Sequence, residues 1–315
     1  MPTAIVAGGN GLVGRALVDL LLQRDHRVLV LGTSEELHEC LLSLKSSSLA
    51  YVQSTFTANE SMDSFCSRLH NDLDIESGSV FYNLAWKAGD SLRTGGLSLQ
   101  LSNVNVSCAY VRLAKLLGAK KFVAIGSFEE LVAERIIEAD LWLVDGYKRE
   151  SNSYALAKIT ARQQCAFEAY CQKIDFCYSY LSVVIDKGLS TYKFVENSLR
   201  DILRDRSIDP VINPELCNIS STEEIAQQLF VIGIHGINGT EYALGTGHSS
   251  TLQDYFRKFA NLSKSATLIT PHIRSDSTPV LLREKDFSIN LLEQHTAYKC
   301  NEDPESLFMD IISRQ

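Results

Sequence analysis

No run of about 18 or more uninterrupted apolar residues occurs in this chain, so no segment reads as a membrane-spanning helix. The first residues carry neither a basic segment nor a cleavage site before the strand-like "TAIVAGG". A secretory leader is therefore not expected, and the location read from the sequence is cytoplasmic. Basic runs are also missing. With 30 Lys and Arg against 38 Asp and Glu, the formal charge of -8 opposes broad attraction to a nucleic-acid backbone, though it leaves room for an anionic small molecule at a local positive site. The eight cysteines (Cys40, Cys66, Cys108, Cys165, Cys171, Cys177, Cys217 and Cys300) include no CxxC pair and mostly lie among apolar neighbours. They read as free thiols, not as disulfides or zinc ligands. His235, His248, His272 and His295 lack metal-ligand spacing, so no metal is expected.

What is present is an alternation of apolar runs and helical patterns. Strand 3–7, helix 12–24, strand 27–31, helix 34–45 and a strand near 50 are followed by strand 79–84, helix 99–117, strand 121–126, helix 152–172 and strand 175–185. This order predicts an α/β fold, a doubly wound parallel sheet of Rossmann type. Segment 131–151 is less regular and reads as a loop or lid near a site. Beyond 185 come short strands in "EYALGTG" and "SATLIT", and helix starts marked by Ser221 with Glu224 and by Ser250 with Gln253. The expected division is a dinucleotide-binding domain over 1–185 with a returning segment at about 205–240, and a smaller C-terminal substrate-binding cap over about 186–204 and 241–315.

"AIVAGGNGLVGRALVDLLLQ" places Gly8, Gly11 and Gly14 at three-residue spacing between a buried strand and an amphipathic helix, with Leu12 in the same turn. A dinucleotide's pyrophosphate needs backbone N–H groups at a helix N-terminus, a turn free of Cβ atoms and a helix close to the sheet, all of which glycines permit. At the end of the second strand, where an acid would hold an adenosine ribose diol, "HRVLVLGTSEEL" offers Gly32, Thr33 and Ser34. Without a carboxylate there a 2′-phosphate meets less repulsion. Thr33 or Ser34 can donate to it and Arg15 stands near, so NADP is favoured over NAD. In the competing reading, Thr33 and Ser34 only cap a helix beginning near Glu35.

In "SNSYALAKITARQQCAFEAY", Tyr154 and Lys158 lie four apart and share a helix face. The strand "KFVAIGSFEE" ends in Gly126 and Ser127 at the carboxyl edge, where ligands bind in this architecture. A neighbouring ammonium lowers a tyrosine pKa from its ordinary value of about 10, and a serine hydroxyl orients the reacting oxygen.

Together, "GGNGLVG", "FYNLAW", "NVNVSCAYVRLAKLLGAKKFVAIGS", "YALAK" and "EYALGTGHSSTLQDYF" resemble the extended short-chain dehydrogenase/reductase family over nearly the whole chain. More narrowly, the sequence is similar to the NAD-dependent epimerase/dehydratase group that acts on nucleotide-activated sugars. The resemblance implies that Gly8, Gly11 and Gly14 receive the pyrophosphate and that Asn83, Leu84, Ala85 and Trp86 line the nicotinamide ribose side. It also implies a catalytic trio of Ser127, Tyr154 and Lys158, the last two also touching the cofactor. Asn105 matches the family's helix asparagine; the bland alternative is an asparagine turned to solvent or capping the helix. Candidates for the substrate side are Trp86, Phe128, Glu129 and Asn197, with core packing the default for the two aromatics. A homodimer packed through helices 99–117 and 152–172 is a further implication.

Four positions depart from the family pattern. Gly32 replaces the ribose-binding acid, and Ser54 stands where an aspartate commonly contacts adenine. "SYLSVVIDKG" lacks the arginine and the tyrosine-glycine-proline turn that shape the sugar pocket. Phe128 takes the first of two acid positions used by dehydratases, leaving Glu129 and Glu130 either as a base toward substrate or as solvated carboxylates. The expected activity is reduction of a 4-keto (deoxy)sugar on a nucleotide diphosphate, with hydride from a nicotinamide cofactor and a proton from Tyr154. The alternatives are an epimerase with retained NAD and a non-catalytic cofactor-sensing protein.

Overall fold

A computed structural model of the chain describes residues 2–54, 65, 67, 69, 78–87, 96–139, 141, 152–209, 211, 215–269 and 280–314. The run TAIVA forms β1 (Thr3–Ala7), buried along its whole length, as a strand covered on both faces must be. Around it lie β2 (Arg27–Gly32), β3 (Leu49–Gln53), β4 (Val80–Asn83), β5 (Lys121–Ser127), β6 (Asp175–Leu181) and β10 (Thr240–Ala243). They form one seven-stranded sheet in the order β10-β6-β5-β4-β1-β2-β3, with every neighbouring pair parallel. This is the doubly wound sheet expected. Its order reverses between β1 and β4, which opens a crevice at the carboxyl ends of those strands.

Each face of the sheet has its own core. Leu17 and Leu21 of α1 (Leu12–Gln23) and Leu229 and Ile232 of α7 (Thr222–His235) pack with Val6 and Val30 on one side. Val111 and Leu113 of α3 (Leu97–Leu116) and Cys165 of α5 (Asn152–Gln172) pack with Ile5, Phe81 and Phe122 on the other. Burying each large apolar side chain contributes about 1.5–3 kcal/mol. A third core lies beyond the sheet, where Leu199 of α6 (Phe194–Leu203), Phe256 and Phe259 of α8 (Leu252–Ser263) and Phe308 of α10 (Pro304–Ser313) meet. Two small sheets pair β7 (Val183–Ile185) with β9 (Ile219–Ser221) and β8 (Leu216–Cys217) with β11 (Ser250–Thr251).

Several elements depart from the sequence expectations. The helix expected over 34–45 is reduced to α2 (Glu39–Leu42), capped by His38. Asn10 prevents the earlier start, since its Nδ2 donates to Glu36 O at 3.0 Å and its Oδ1 accepts from His38 N at 2.9 Å, holding residues 33–38 as a bend beside the glycine turn. Where a loop or lid was expected from 131, the chain forms α4 (Phe128–Glu138), started by a capping box of Ser127 and Glu130; residues 140 and 142–151 of that segment lie outside the described residues. Strand 175–185 breaks at Ser182, whose Oγ accepts from Asn218 N at 3.0 Å, so that β7 leaves the main sheet for β9. Ser221 caps α7 through Glu224 N as expected, whereas α8 is capped by Thr251 through Asp254 N, one residue later than Ser250 with Gln253. Residues 265–269 of "SATLIT" are not a strand. Cys66 and His272 lie outside the described residues. Among the described residues no helix is long and apolar enough to cross a membrane.

Candidate functional site

The glycine turn is built so tightly that side chains are excluded. Gly8 adopts φ +84°, and a Cβ there would come within 2.7 Å of Ala85 N in the loop after β4. A Cβ on Gly14 would come within 2.3 Å of Gly8 O. Gly11 caps α1 without a side-chain hydrogen bond, and no acid stands in the first turn. The first N–H groups of α1 are therefore open to an anion, in the arrangement that suits a dinucleotide's pyrophosphate. Leu12, half-buried, follows on the side of a cleft of about 440 Å³ between α1, α2, α7 and residues 186–190.

At the adenosine end, Thr33 and Ser34 are exposed in the bend and cap no helix, which removes the capping alternative. Tyr51 crosses above Gly32: its hydroxyl donates to Ser34 O at 2.6 Å and would sit 2.8 Å from a Cβ on residue 32. The missing acid and this tyrosine are thus one feature, because a side chain at 32 would displace the phenol. Ser54 is buried, with its Oγ 3.5 Å from the Tyr110 hydroxyl. Arg15 donates to Asn10 O at 3.3 Å at the start of α1.

After β4 the buried Asn83 accepts from Ala85 N at 3.3 Å, shaping the turn through Leu84 and Ala85. Asn105, which the resemblance matches to the family's helix asparagine and whose alternative is a residue turned to solvent or capping the helix, is exposed on α3. The asparagine that reaches the loop is Asn103, whose Oδ1 accepts from Lys87 N at 2.9 Å and whose Nδ2 donates to Lys87 O at 2.7 Å. Two residues correspond to roughly 200° around a helix, so only one of the pair can face the sheet. Trp86 Nε1 donates to Gln100 Oε1 at 3.0 Å.

Ser127, Tyr154 and Lys158 do come together at the carboxyl end of β5. The Ser127 side chain acts on the Tyr154 phenol, opposing the rise of its pKa, and accepts from Glu129 N at 3.2 Å. Lys158 Nζ donates to Ile125 O at 2.8 Å and lies 3.9 Å from the centre of the Trp86 ring. Trp86 also meets Tyr154 edge-on at 6.0 Å. The expectation of a lowered tyrosine pKa is corrected here. Burial drives the Tyr154 phenol above its usual range, with the charges of Glu130 and Glu129 adding to the rise and the Ser127 side chain opposing it. Burial lowers Lys158 to about 8.

Phe128 stacks on Phe287 at 4.4 Å and is buried in the core, so it is no pocket wall. Arg135 ties the same helix to Asp286 at 2.6 Å, and α4 thereby fastens the C-terminal region beside Ser127. Glu129 is half-buried, with its charge felt at Tyr154. Glu130 is not solvated; it is fully buried behind the trio. Asn197 donates to Tyr192 O at 2.8 Å and accepts from Arg200, binding residues 192–200 to one another. The sequence does not single out Asn103, Gln100 and Tyr51, and it leaves Glu130 as a substrate base or a solvated carboxylate, although the S-x-x-E spacing at Ser127 carries the signal of a capping box.

The model of the NAD dependent epimerase/dehydratase family matches residues 4–213, and the chain belongs to that family. No curated protein matches the sequence. Among solved structures, the chain is similar to the UDP-glucose 4-epimerase, with UDP-glucose, of the hyperthermophilic eubacterium Thermotoga maritima (13% identity, 99% of this chain and 98% of that chain, TM-score 0.73). It is also similar to the Bordetella bronchiseptica enzyme WbmF in complex with NADH (14% identity, 99% and 91%, TM-score 0.71). A third is the dTDP-glucose 4,6-dehydratase of Bacillus anthracis in complex with NAD (12% identity, 100% and 96%, TM-score 0.74). At these identities the likeness is one of fold.

Proposed function

We propose that the protein is a cytoplasmic reductase that converts a 4-keto group of a nucleotide-diphosphate deoxysugar to an alcohol, using NADP(H) in preference to NAD(H). The observation that carries this reading is Tyr154, held protonated by burial at the carboxyl end of β5 beside Ser127 and one helical turn from Lys158. A protonated phenol is a proton donor, the role reduction requires. An oxidation-first cycle needs the phenolate, which this environment disfavours.

The residues present fit a dinucleotide. Gly8, Gly11 and Gly14 with the N-terminus of α1 would hold the pyrophosphate, Thr33 and Ser34 a 2′-phosphate, and the Asn83–Trp86 loop with Lys158 the nicotinamide side. When bound, the cofactor supplies hydride to the keto carbon. Ser127 aligns the carbonyl oxygen, Tyr154 gives it a proton, and the Lys158 ammonium stabilises the phenolate left behind. Full 4,6-dehydration is disfavoured, because Phe128 stands in the core where the first acid would be needed.

Activity as a homodimer is part of this reading. Phe167, Tyr170 and Leu156 on α5 and Leu97 and Leu101 on α3 are exposed apolar side chains on two helices that pack together. The deciding experiment offers the purified protein a panel of nucleotide-diphosphate 4-keto-6-deoxysugars with NADPH and follows cofactor absorbance and product mass. Stoichiometric NADPH loss with a gain of two hydrogens supports reduction. Interconversion of sugar epimers without net cofactor use would make it an epimerase, and binding of cofactor with no turnover on any substrate would make it a sensor.

A further inference from the structure

Glu130 is 0% exposed. Oε1 accepts from Ser127 N at 2.8 Å and from the Tyr178 hydroxyl at 2.8 Å. A Cβ on Gly126 would come within 2.3 Å of the same oxygen, so the carboxylate lies directly against the strand backbone at 126. The neighbouring carbonyl, that of Ile125, receives Lys158 Nζ at 2.8 Å. The anion and the ammonium therefore share one short stretch of the rim of β5, with Ser127 at its end. A capping box needs only a helix-start carboxylate, commonly solvent-facing; full burial beside a lysine exceeds that need.

The other charges around Glu130 are already engaged. From α5, Arg162 approaches Oε2 with Nε at 3.8 Å, without forming a hydrogen bond to it. That guanidinium also meets Glu134 of α4 and Glu241 of β10, the latter at 3.0 Å, and the Tyr180 hydroxyl of β6. Two further carboxylates thus neutralise Arg162. Tyr178 donates to Glu130 as a neutral phenol, its pKa raised by burial. Tyr154 on α5 and Glu129 on α4 complete the set. Of the groups acting on Lys158, Glu130 is the carboxylate, and the other, the Cys165 thiol, is kept uncharged by a pKa raised well above its usual range.

We infer that Glu130 is a positioning residue for the trio: its buried carboxylate is the internal counter-charge that keeps Lys158 an ammonium, while the same oxygen fixes the backbone of Ser127. The inference deepens the reductase reading and rests on it for its catalytic meaning. Burial raises Glu130 to about 7 and lowers Lys158 to about 8, each charge opposing the other's shift. The sign of the effect follows. Removing the negative charge removes what holds the Lys158 proton, so the lysine pKa must fall further.

The test is a titration of the free protein with 13Cε-labelled lysine, with the Lys158 resonance identified by its loss in Lys158→Met. Wild type is compared with Glu130→Gln, which retains an oxygen acceptor for Ser127 N and Tyr178. The expected result is a Lys158 midpoint at least one pH unit lower in Glu130→Gln, a tenfold change in its proton affinity. An unchanged or raised midpoint overturns the inference. Should Glu130→Gln not fold, wild type decides alone: the Lys158 resonance must report a second inflection near pH 7 from Glu130, and a single inflection overturns the inference. Neither measurement needs substrate or cofactor, so failure of the reductase assay and failure of this inference are separate outcomes.

Discussion

The Trp86 ring covers the Lys158 ammonium at 3.9 Å while its Nε1 is anchored to the fully buried Gln100. A cation over an indole in a desolvated site is worth on the order of 2 kcal/mol, and the edge-on contact with Tyr154 uses the same ring. The indole is therefore a spacer that sets the separation of phenol and ammonium. Trp86→Phe keeps a ring but strands Gln100 Oε1. The expected cost is about 1–3 kcal/mol of stability, the usual penalty for a buried acceptor left unpaired, read as a lower urea midpoint with unchanged slope.

Tyr154→Phe leaves the ring beside Trp86 and deletes only the hydroxyl that carries the proton. Turnover of the reducible sugar should fall by about 10²- to 10⁴-fold, the usual contribution of a positioned acid. Cofactor affinity should change little, because the glycine turn that would carry it is distant in sequence and untouched. Single-turnover kinetics together with a cofactor titration separate the two quantities. Equal losses in both would mean that the phenol acts in binding, not in proton transfer.

Two pH effects follow from the buried pair, and both are losses as pH rises. Turnover should decline as pH rises through about 8, where Lys158 loses its proton. For stability, the folded pKa of Glu130 lies above its unfolded value, so the native state holds the extra proton between 4.5 and about 7. That contribution to stability is complete below 4.5 and is lost as pH rises through about 7. Wild type should therefore lose more stability than Glu130→Gln between those limits, measurable as the difference in urea midpoints. A parallel fall in both proteins would place the titration elsewhere.

The sheet and the trio were legible in the sequence because their signals are local. The buried run of β1, the three-residue glycine spacing and the four-residue step from Tyr154 to Lys158 each specify geometry within one or two turns of chain. What escaped depended on contacts between distant residues. Helix α2 is shortened by Asn10, which holds Glu36 and His38 from 26 and 28 positions away. Asn103 and Asn105 cannot be ranked without knowing which face of α3 meets the loop after β4. Glu130 carried a readable capping signal, yet its burial is set by Tyr178 and Arg162, on elements 48 and 32 residues downstream.

The exposed apolar side chains on α3 and α5 give a prediction about assembly. Phe167 is 66% and Leu101 48% exposed, and burying such groups in a second copy would stabilise a dimer by about 1.5–3 kcal/mol per large side chain. Phe167→Asp combined with Leu101→Asp should yield a monomer by sedimentation, without loss of the folded circular-dichroism signal. If wild type itself sediments as a monomer, the homodimer is excluded.

In the proposed reading, cofactor choice turns on Gly32 and Tyr51. An aspartate at 32 would supply the anion that accepts both ribose hydroxyls and repels a 2′-phosphate, but its Cβ would lie 2.8 Å from the Tyr51 hydroxyl as that side chain now stands. Gly32→Asp alone must push the phenol aside and break its bond to Ser34 O, so it should cost stability while improving NADH use only modestly. Gly32→Asp with Tyr51→Val removes the obstruction. The double variant should shift the ratio of kcat/KM for NADH over NADPH upward by at least tenfold, about 1.4 kcal/mol. Its NADPH affinity should fall, and the loss should be smaller at high salt, where repulsion of the 2′-phosphate is screened. A wild type that already prefers NADH would contradict the assignment of Thr33 and Ser34 to a phosphate, and the double variant would then show no inversion.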